Sequence, residues 1–236
     1  MSLHATIQHE IRQRPVRARE PEVREFRIQE IYYTLQGEGI NTGRPAVFCR
    51  FSGCNLWSGR EEDRASAICR FCDTRFIGMD GRGGGLFVSA AQLAGAVRRE
   101  WPHSTIGKAR PLVVFTGGEP LLQLTAELVE EVHGQGFEVA VETNGTQLPP
   151  AGIDWICVSP KANAGLRLHY GNELKLVFPQ KNGEPERYEH LDFDHFLLQP
   201  MDGSAREENT RRAVEYCLAH PRWQLSLQTQ KLLGIP

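Results

Sequence analysis

The sequence predicts an α/β fold built as an incomplete, partial TIM-like parallel barrel, and two observations lead to that prediction. After residue 110, buried-looking apolar runs alternate with amphipathic helical segments, which is typical of parallel βα units. Several connections between the runs are too short to hold a helix, notably the one from Gly145 to Asp154. The chain therefore has more strands than helices, and we expect an open barrel rather than a closed one.

The individual elements follow from apolar periodicity and from turn residues at their ends. Predicted strands span residues 26–39 (ending in a glycine loop), 46–51, 112–120, 137–145, 154–161, 173–179, 194–201 and 223–230. Predicted helices span residues 89–101, 121–136 and 204–220. Ser89 and Gln92 form a capping box at the start of the first helix. In the last helix, we expect Ala213, Val214 and Cys217 to face inward.

Composition places the chain among ordinary globular proteins of one large domain. The 236 residues are 40% hydrophobic and 24% charged with a net charge of -2, so neither a nucleic acid nor a membrane is indicated as partner. No apolar run reaches the roughly 20 residues that span a bilayer, and the N-terminus lacks the apolar region of a secretory signal. We expect a cytoplasmic protein, with a disordered, arginine-rich leader at residues 1–24 and a single domain at residues 25–236.

Three cysteines with the spacing C-x14-C-x2-C are the most informative feature: Cys54, Cys69 and Cys72. In a reducing compartment, clustered cysteines are more often metal ligands than disulfides. With Cys49, they would form a four-thiolate zinc site, which is a common structural site. Cys49, however, lies within an alternating strand, so we expect it to pack as a small buried residue. Cys157 and Cys217, within a predicted strand and helix, are interpreted in the same way.

Three thiolates without a fourth fit a different metal group. A cubane iron–sulfur cluster has four irons, each normally bound by one thiolate. Three cysteines leave one iron free to chelate an exogenous molecule, which is what reductive cleavage of S-adenosylmethionine requires. The motif "TGGEP" adds exposed backbone at Gly117 and Gly118 and a carboxylate, Glu119, that could pair with an α-ammonium group. Pro120 is expected to begin the following helix.

Together with "YTLQGEG", "FCRFSGCNLW", "CDT", "ETNG", "SPK", "QPMD" and "LSLQTQKLLGIP", these motifs resemble the 7-carboxy-7-deazaguanine synthases of the radical S-adenosylmethionine superfamily. The resemblance covers nearly everything after residue 26. The usual superfamily spacing is C-x3-C-x2-C, so the fourteen-residue gap after Cys54 contains an insertion, expected to hold a helical turn or two. Gln230 stands where many relatives have histidine, and an amide cannot titrate near neutral pH.

The resemblance implies an iron–sulfur lyase with a β6/α3 radical core. The implied reaction converts 6-carboxy-5,6,7,8-tetrahydropterin to 7-carboxy-7-deazaguanine with loss of ammonia, a step in the biosynthesis of queuosine and other 7-deazapurines. The implied cofactors are a [4Fe-4S] cluster, S-adenosylmethionine and Mg²⁺. An electron donor such as flavodoxin or ferredoxin and a homodimeric assembly are implied as partners.

Site residues follow by matching this sequence to the family's motifs. The cluster ligands are Cys54, Cys69 and Cys72, and the magnesium ligand is Thr74, since Mg²⁺ prefers oxygen. The implied contacts to S-adenosylmethionine are Phe71, Cys72, Asp73, Gly118, Glu119, Ser159, Pro160, Lys161, Gln199, Pro200, Met201 and Asp202. The implied contacts to the pterin are Leu35, Gln36, Gly37, Glu38, Arg50, Thr116 and Pro236, with Arg50 as a clamp for a carboxylate.

The end of the chain and two rival functions complete the expectations. Gly234 is expected to turn the tail inward after the last strand, with Leu232 and Leu233 pinning it against the barrel mouth. A glycyl-radical activase is the rival enzyme, and it would lack the QGEG loop and the CDT threonine. A zinc-stabilised binding module is the rival from another class.

Overall fold

A computed structural model describes residues 25–102 and 110–236, so the predicted leader at residues 1–24 lies outside the described residues. The strands are β1 (Phe26–Leu35), β2 (Pro45–Phe51), β3 (Gly85–Phe87), β4 (Leu112–Gly117), β5 (Glu138–Thr143), β6 (Trp155–Val158), β7 (Tyr170–Phe178), β8 (Asp192–Pro200) and β9 (Trp223–Leu225). The helices are α1 (Ala90–Glu100), α2 (Ala126–Gly134), α3 (Arg206–Ala219) and the short α4 (Thr229–Leu233).

The strands form one open sheet in the order β3-β1-β2-β4-β5-β6-β7-β8-β9. From β2 to β9, neighbouring strands are parallel, whereas β1 pairs antiparallel with both β2 and β3. The parallel strands lie side by side without closing on themselves. The predicted α/β fold with an incomplete parallel barrel is confirmed.

One face of the sheet is covered by helices. Beneath α1 and α2, side chains such as Leu93, Leu128 and Phe115 pack with the first strands into a core from which water is excluded. Beneath α3, a second core joins Ala213 and Trp223 to strands β7 and β8. Burial of these apolar surfaces is the main source of the fold's stability.

The opposite face changes from apolar to polar along β2 and β4. Phe48 on β2 and Val114 on β4 belong to an apolar cluster at one end of the sheet. Two residues further on, Arg50 and Thr116 line an open cavity at the other end. Side chains two positions apart on a strand share a face, so this step carries polar groups to the carboxyl ends of the parallel strands. That edge is where barrel folds build their sites.

Two predicted elements have different ends in the structure. The helix predicted at residues 121–136 begins at Ala126, because Thr125 caps it by accepting a hydrogen bond from the Leu128 amide. The preceding Pro120–Leu122 forms a separate 3₁₀ turn. The last strand, predicted to reach residue 230, ends at Leu225 and is followed by α4.

Side-chain orientation corrects two further predictions. In α3, Ala213 is buried and Cys217 packs against the core as predicted, but Val214 is exposed. Leu232 and Leu233 are 63% and 59% exposed, so the prediction that they pin the tail against the barrel is wrong. By contrast, Ser89 caps α1 through the Gln92 amide as predicted, and Gly234 adopts the predicted turn with a left-handed backbone.

In residues 25–102 and 110–236, no helix is long and apolar enough to cross a membrane. The six cysteines, all within these ranges, are free thiols.

Candidate active site

A cavity of about 370 Å³ opens at the carboxyl ends of the strands. It receives loops that are far apart in sequence, since strands of a parallel sheet end at the same edge. The predicted site residues that line it are Leu35, Gln36, Gly37, Glu38, Arg50, Cys54, Cys69, Phe71, Cys72, Asp73, Thr74, Thr116, Gly118, Ser159, Lys161, Gln199, Pro200, Met201, Asp202 and Pro236. Glu119 and Pro160 are the two predicted site residues that do not line this cavity.

The three predicted cluster ligands face this cavity from two segments. Cys54 follows β2, and its sulfur accepts a hydrogen bond from the Leu56 amide at 3.4 Å. The Cys69 thiol donates a hydrogen bond to Cys72, which lowers the pKa of Cys72 to about 6 and raises that of Cys69. Burial raises the pKa of Cys54. The cavity wall therefore presents three thiols, one of which ionises readily.

Cys49 lies on the other face of the sheet. Its side chain is fully buried in the core with Phe51 and Phe115, and burial raises the pKa of its thiol. It cannot join the three cavity thiols, so the four-thiolate zinc site is wrong. In the part of the chain that the structure describes, no three His, Cys, Asp or Glu side chains are placed to hold one metal ion. Three thiols in one cavity, without a fourth, fit a cluster better than a single zinc ion.

Glu119 lies outside the set of residues that line the cavity. Its carboxylate is completely buried and accepts hydrogen bonds from Thr143 Oγ1 at 2.7 Å, the Asn144 amide at 2.8 Å and the Leu121 amide at 3.0 Å. The carboxylate thus joins the loops after β4 and β5 and turns away from the cavity. The predicted pairing of Glu119 with an α-ammonium group stays a prediction, and the observed role of its carboxylate is to hold these two loops together.

The glycines before Glu119 allow the backbone to approach its neighbours closely. A Cβ atom on Gly118 would lie 2.1 Å from the Gly53 carbonyl oxygen, and one on Gly117 would lie 2.3 Å from that of Phe51. Gly117 also has a φ of 145°, which L side chains rarely adopt. Both positions require glycine, and their backbone forms the cavity wall beside Cys54.

The loop after β6 contains three residues that are predicted to contact S-adenosylmethionine, and two of them, Ser159 and Lys161, line the cavity. Lys161 lines the cavity, and its Nζ donates to the carbonyl and hydroxyl oxygens of Ser159 at 2.7 and 2.8 Å. Pro160 is buried instead, and its carbonyl accepts a hydrogen bond from Gln180 Nε2 at 3.2 Å. The contact predicted for Pro160 stays a prediction, and the observed role of its carbonyl is to join this loop to Gln180.

The cavity also contains a buried charge cluster formed by Glu38, Lys175 and Glu142. Lys175 Nζ lies 2.7 Å from Glu38 Oε2 and 3.4 Å from Glu142 Oε1, and only 4% of its side chain is exposed. Sequence reasoning missed Lys175 and Glu142, although both alternate with apolar residues in predicted strands. That alternation indicates that they face away from the core, toward the cavity.

The charge cluster fixes the ionisation of its members. Burial would raise the pKa of Glu38, but the Lys175 ammonium and amide donors from Gln230 and Gln228 lower it to about 2. Burial would lower the pKa of Lys175, but the surrounding negative groups, including Glu142, raise it well above its usual value. At neutral pH, Glu38 is an ionised hydrogen-bond acceptor inside the cavity.

The remaining residues that are predicted to contact the pterin line the same cavity. Gln36 Nε2 donates to Glu142 Oε1 at 3.1 Å, and Thr116 Oγ1 lies 3.5 Å from the other oxygen of Glu142. Arg50 donates through Nε to Glu30 at 2.8 Å. The carbonyl oxygen of Pro236 accepts from Thr34 Oγ1 at 2.9 Å, which holds the tail at the cavity.

The tail is also anchored by residues that sequence reasoning missed. Lys231 Nζ lies 2.5 Å from Asp73 and 2.7 Å from Asp202, so it joins the segment after Cys72 to the loop after β8. Gln228 Nε2 donates to Glu38 at 3.1 Å, and Gln230 Nε2 donates to it at 3.0 Å. Polar contacts, rather than the exposed leucines, hold α4 across the cavity.

The depressed pKa of Glu38 makes a testable contribution to acid stability. A carboxylate with a lowered pKa in the folded state stabilises the fold above its unfolded pKa, and this stabilisation is lost as pH falls through the folded value. We expect the loss between pH 4.5 and about 2. In Glu38→Gln, the free energy of unfolding from urea titrations should fall less steeply over this range than in the wild type. Parallel curves would show that Glu38 is not held ionised by its neighbours.

Comparisons with known proteins agree with this geometry. No protein-family model matches the chain. The chain is 60% identical to the 7-carboxy-7-deazaguanine synthase of Bordetella pertussis over 211 residues, covering 89% of this chain and 99% of that protein. It is 59% identical to the enzyme of the same name from Caulobacter vibrioides over 211 residues, with the same coverage.

A solved structure is similar as well. The crystal structure of QueE from Escherichia coli superimposes with a TM-score of 0.65 at 28% sequence identity, covering 87% of this chain and 94% of that one. The identity and coverage of the curated relatives far exceed what a shared fold alone requires. The chain belongs to the 7-carboxy-7-deazaguanine synthase family.

Proposed function

We propose that this chain is a radical S-adenosylmethionine lyase that converts 6-carboxy-5,6,7,8-tetrahydropterin to 7-carboxy-7-deazaguanine with loss of ammonia, in queuosine and 7-deazapurine biosynthesis. One observation carries the proposal. Cys54, Cys69 and Cys72 face the cavity that also contains hydrogen-bond acceptors and donors such as Glu38 and Arg50. Cys49, in contrast, is buried on the other side of the sheet. Family membership agrees with that arrangement.

The cluster is assigned to Cys54, Cys69 and Cys72, with one iron left for S-adenosylmethionine. Once bound, the [4Fe-4S] cluster and S-adenosylmethionine supply one-electron chemistry that removes a hydrogen atom from the substrate. The backbone of Gly117 and Gly118 lines the wall beside Cys54, where it can accept hydrogen bonds from an ammonium group. The cavity's carboxyl-end position lets several loops bind one nucleoside, and its volume is that of a small-ligand site.

The opposite wall is assigned to the pterin. A pterin edge carries an amide N–H and an amino group, and the ionised Glu38 and the carboxyl oxygens of Glu142 offer acceptors for both. Arg50 provides a planar guanidinium for the substrate carboxylate, since arginine pairs with carboxylates in two parallel hydrogen bonds. Lys175 contacts both acceptors, so it holds them in place and offsets their charge.

Magnesium is assigned to Thr74, which lines the cavity next to Asp73. Mg²⁺ prefers oxygen ligands and keeps several waters, so one hydroxyl together with substrate oxygens fits its usual coordination. The assignment requires the substrate, because one protein ligand alone binds this ion weakly. We assign the reducing electron to a small redox protein such as flavodoxin or ferredoxin, and turnover with either as sole reductant tests that choice.

We also propose that residues 25–236 form one cytoplasmic domain, and the single sheet supports the view that they form one domain.

Neither rival function accounts for the site. The zinc-stabilised module needs Cys49 among the ligands, and Cys49 is buried elsewhere. A glycyl-radical activase would lack both the QGEG loop, which here reaches the cavity through Gly37 and Glu38, and Thr74.

Cysteine variants test the cluster assignment. Cys54→Ala, Cys69→Ala and Cys72→Ala should each abolish cluster assembly and turnover, because each removes one of only three thiolates in the cavity. Cys49→Ala is the matched control, and it should keep the cluster because its side chain lies in the opposite core. Iron and sulfide analysis after anaerobic reconstitution is the measurement. A folded Cys49→Ala protein without iron would overturn the three-ligand assignment.

Lys231 provides a test of the S-adenosylmethionine side. Lys231→Met loses two partly exposed ion pairs, to Asp73 and Asp202, each worth about 1 kcal/mol at most. If these pairs hold the two loops in their binding positions, the Kd for S-adenosylmethionine should rise about 5- to 30-fold. Leu232→Ala, at an exposed position one residue further on, is the control. Equal affinity in Lys231→Met and wild type would remove Lys231 from the site.

We propose a homodimer as the assembled form. The exposed apolar side chains of the sheet's last strand and of the tail support this, since Leu225, Leu232 and Leu233 are 38%, 63% and 59% exposed. A subunit contact would cover these side chains, since contiguous exposed apolar patches are typical of protein–protein contacts. Sedimentation equilibrium should give twice the chain mass of 26.6 kDa. A monomer at micromolar concentration would contradict the proposal.

A further inference from the structure

The fourteen-residue gap between Cys54 and Cys69, which holds the insertion, has its own small structure. It contains a 3₁₀ helix, Glu61–Ser66, in which no residue is buried. Trp57 at its base is 8% exposed, packs edge-on against Phe76 and donates from Nε1 to the Arg60 carbonyl at 3.0 Å. The insertion is thus an exposed turn attached to the cavity wall through the buried Leu56 and Trp57.

Arg64, within this turn, makes contacts in three directions. Its Nη1 donates to the carbonyl oxygens of Arg70 at 3.0 Å and Cys72 at 3.1 Å. Its Nε donates to Glu61 Oε1 at 2.7 Å, and its guanidinium carbon lies 4.0 Å from the centre of the Trp57 ring. A planar guanidinium can stack on an aromatic ring while its edge donates several hydrogen bonds, which a lysine ammonium cannot do.

These contacts join the insertion to the segment that carries two cluster ligands. The carbonyls that Arg64 holds belong to a ligand, Cys72, and to Arg70, the residue after another ligand, Cys69. The guanidinium that bonds the Cys72 carbonyl also places a positive charge beside this segment. Groups that hold a ligand from outside are known to control metal affinity and reduction potential.

We propose that Arg64 is a positioning residue of the cluster, which fixes the backbone of the Cys69–Cys72 segment and places a positive charge beside its thiolates. The inference rests on the proposed function, because it assigns the cluster to these cysteines. The insertion separates Cys54 from the other two ligands in sequence, and its 3₁₀ turn brings Arg64 back into contact with the segment that carries them.

Arg64→Ala and Arg64→Lys holoproteins test the two parts of the proposal separately. Iron release to a chelator under anaerobic conditions should be roughly tenfold faster in Arg64→Ala than in the wild type. The midpoint potential of its cluster should be more negative, since loss of a nearby positive charge disfavours the reduced form. Arg64→Lys keeps the charge but not the bridge, so its potential should stay near that of the wild type while iron release is faster.

Arg60→Ala is the matched control. Its side chain is 71% exposed and pairs only loosely with Glu62, at 3.8 Å, so iron release and potential should match the wild type. Wild-type behaviour of Arg64→Ala in both measurements would overturn the inference and leave the proposed function intact. If Arg64→Ala fails to fold, Arg64→Lys decides, and wild-type iron release there overturns the inference. A wild-type protein that assembles no iron–sulfur cluster would overturn the proposed function and the inference together.

Discussion

The buried ammonium of Lys175 is the constraint on which the cavity's architecture depends. Moving an ammonium group out of water costs several kcal/mol unless opposite charges and hydrogen bonds surround it. Glu142, on β5, and Glu38, in the loop after β1, supply those charges. Because Glu38 belongs to a loop rather than to the sheet's core, its ion pair draws that loop over the carboxyl ends of the strands.

The Glu38 carboxylate also connects other parts of the site to this loop. Gln228 and Gln230 donate to Glu38, so the tail is attached to the loop after β1. Lys231 then links the tail to Asp73 and Asp202, beside the cysteine segment and the loop after β8. Residues expected to bind a pterin and residues expected to bind S-adenosylmethionine therefore share one continuous polar network. A disturbance at either wall is transmitted through contacts rather than through the core.

Much of the fold and of the site was predictable because the relevant signals are local. Alternation within β2 separated Cys49 from Cys54, and the strand-end motifs indicated where loops would converge. Contacts between distant segments gave no such signal. Nothing near Glu119 in sequence shows that its carboxylate is enclosed by Thr143 and Asn144, and the apolar pattern of "WQLSLQTQ" predicts one strand although a helix interrupts it. Lys175 was predictable in part. Its position in an alternating strand indicates that it faces the cavity, but nothing in the sequence indicates that Glu38 and Glu142 are its partners.

The division between the two sheet faces explains why the charges do not weaken the fold. Apolar side chains fill the helix-covered face, whereas the other face carries the polar groups of the cavity toward the strands' carboxyl ends, as in the step from Val114 to Thr116 on β4. The hydrophobic stabilisation and the charged cavity therefore occupy different atoms of the same strands. Loops at the carboxyl edge can gain an insertion such as the one carrying Arg64, because that change touches neither core. A scaffold of this kind keeps its fold while the cluster-binding loop changes length.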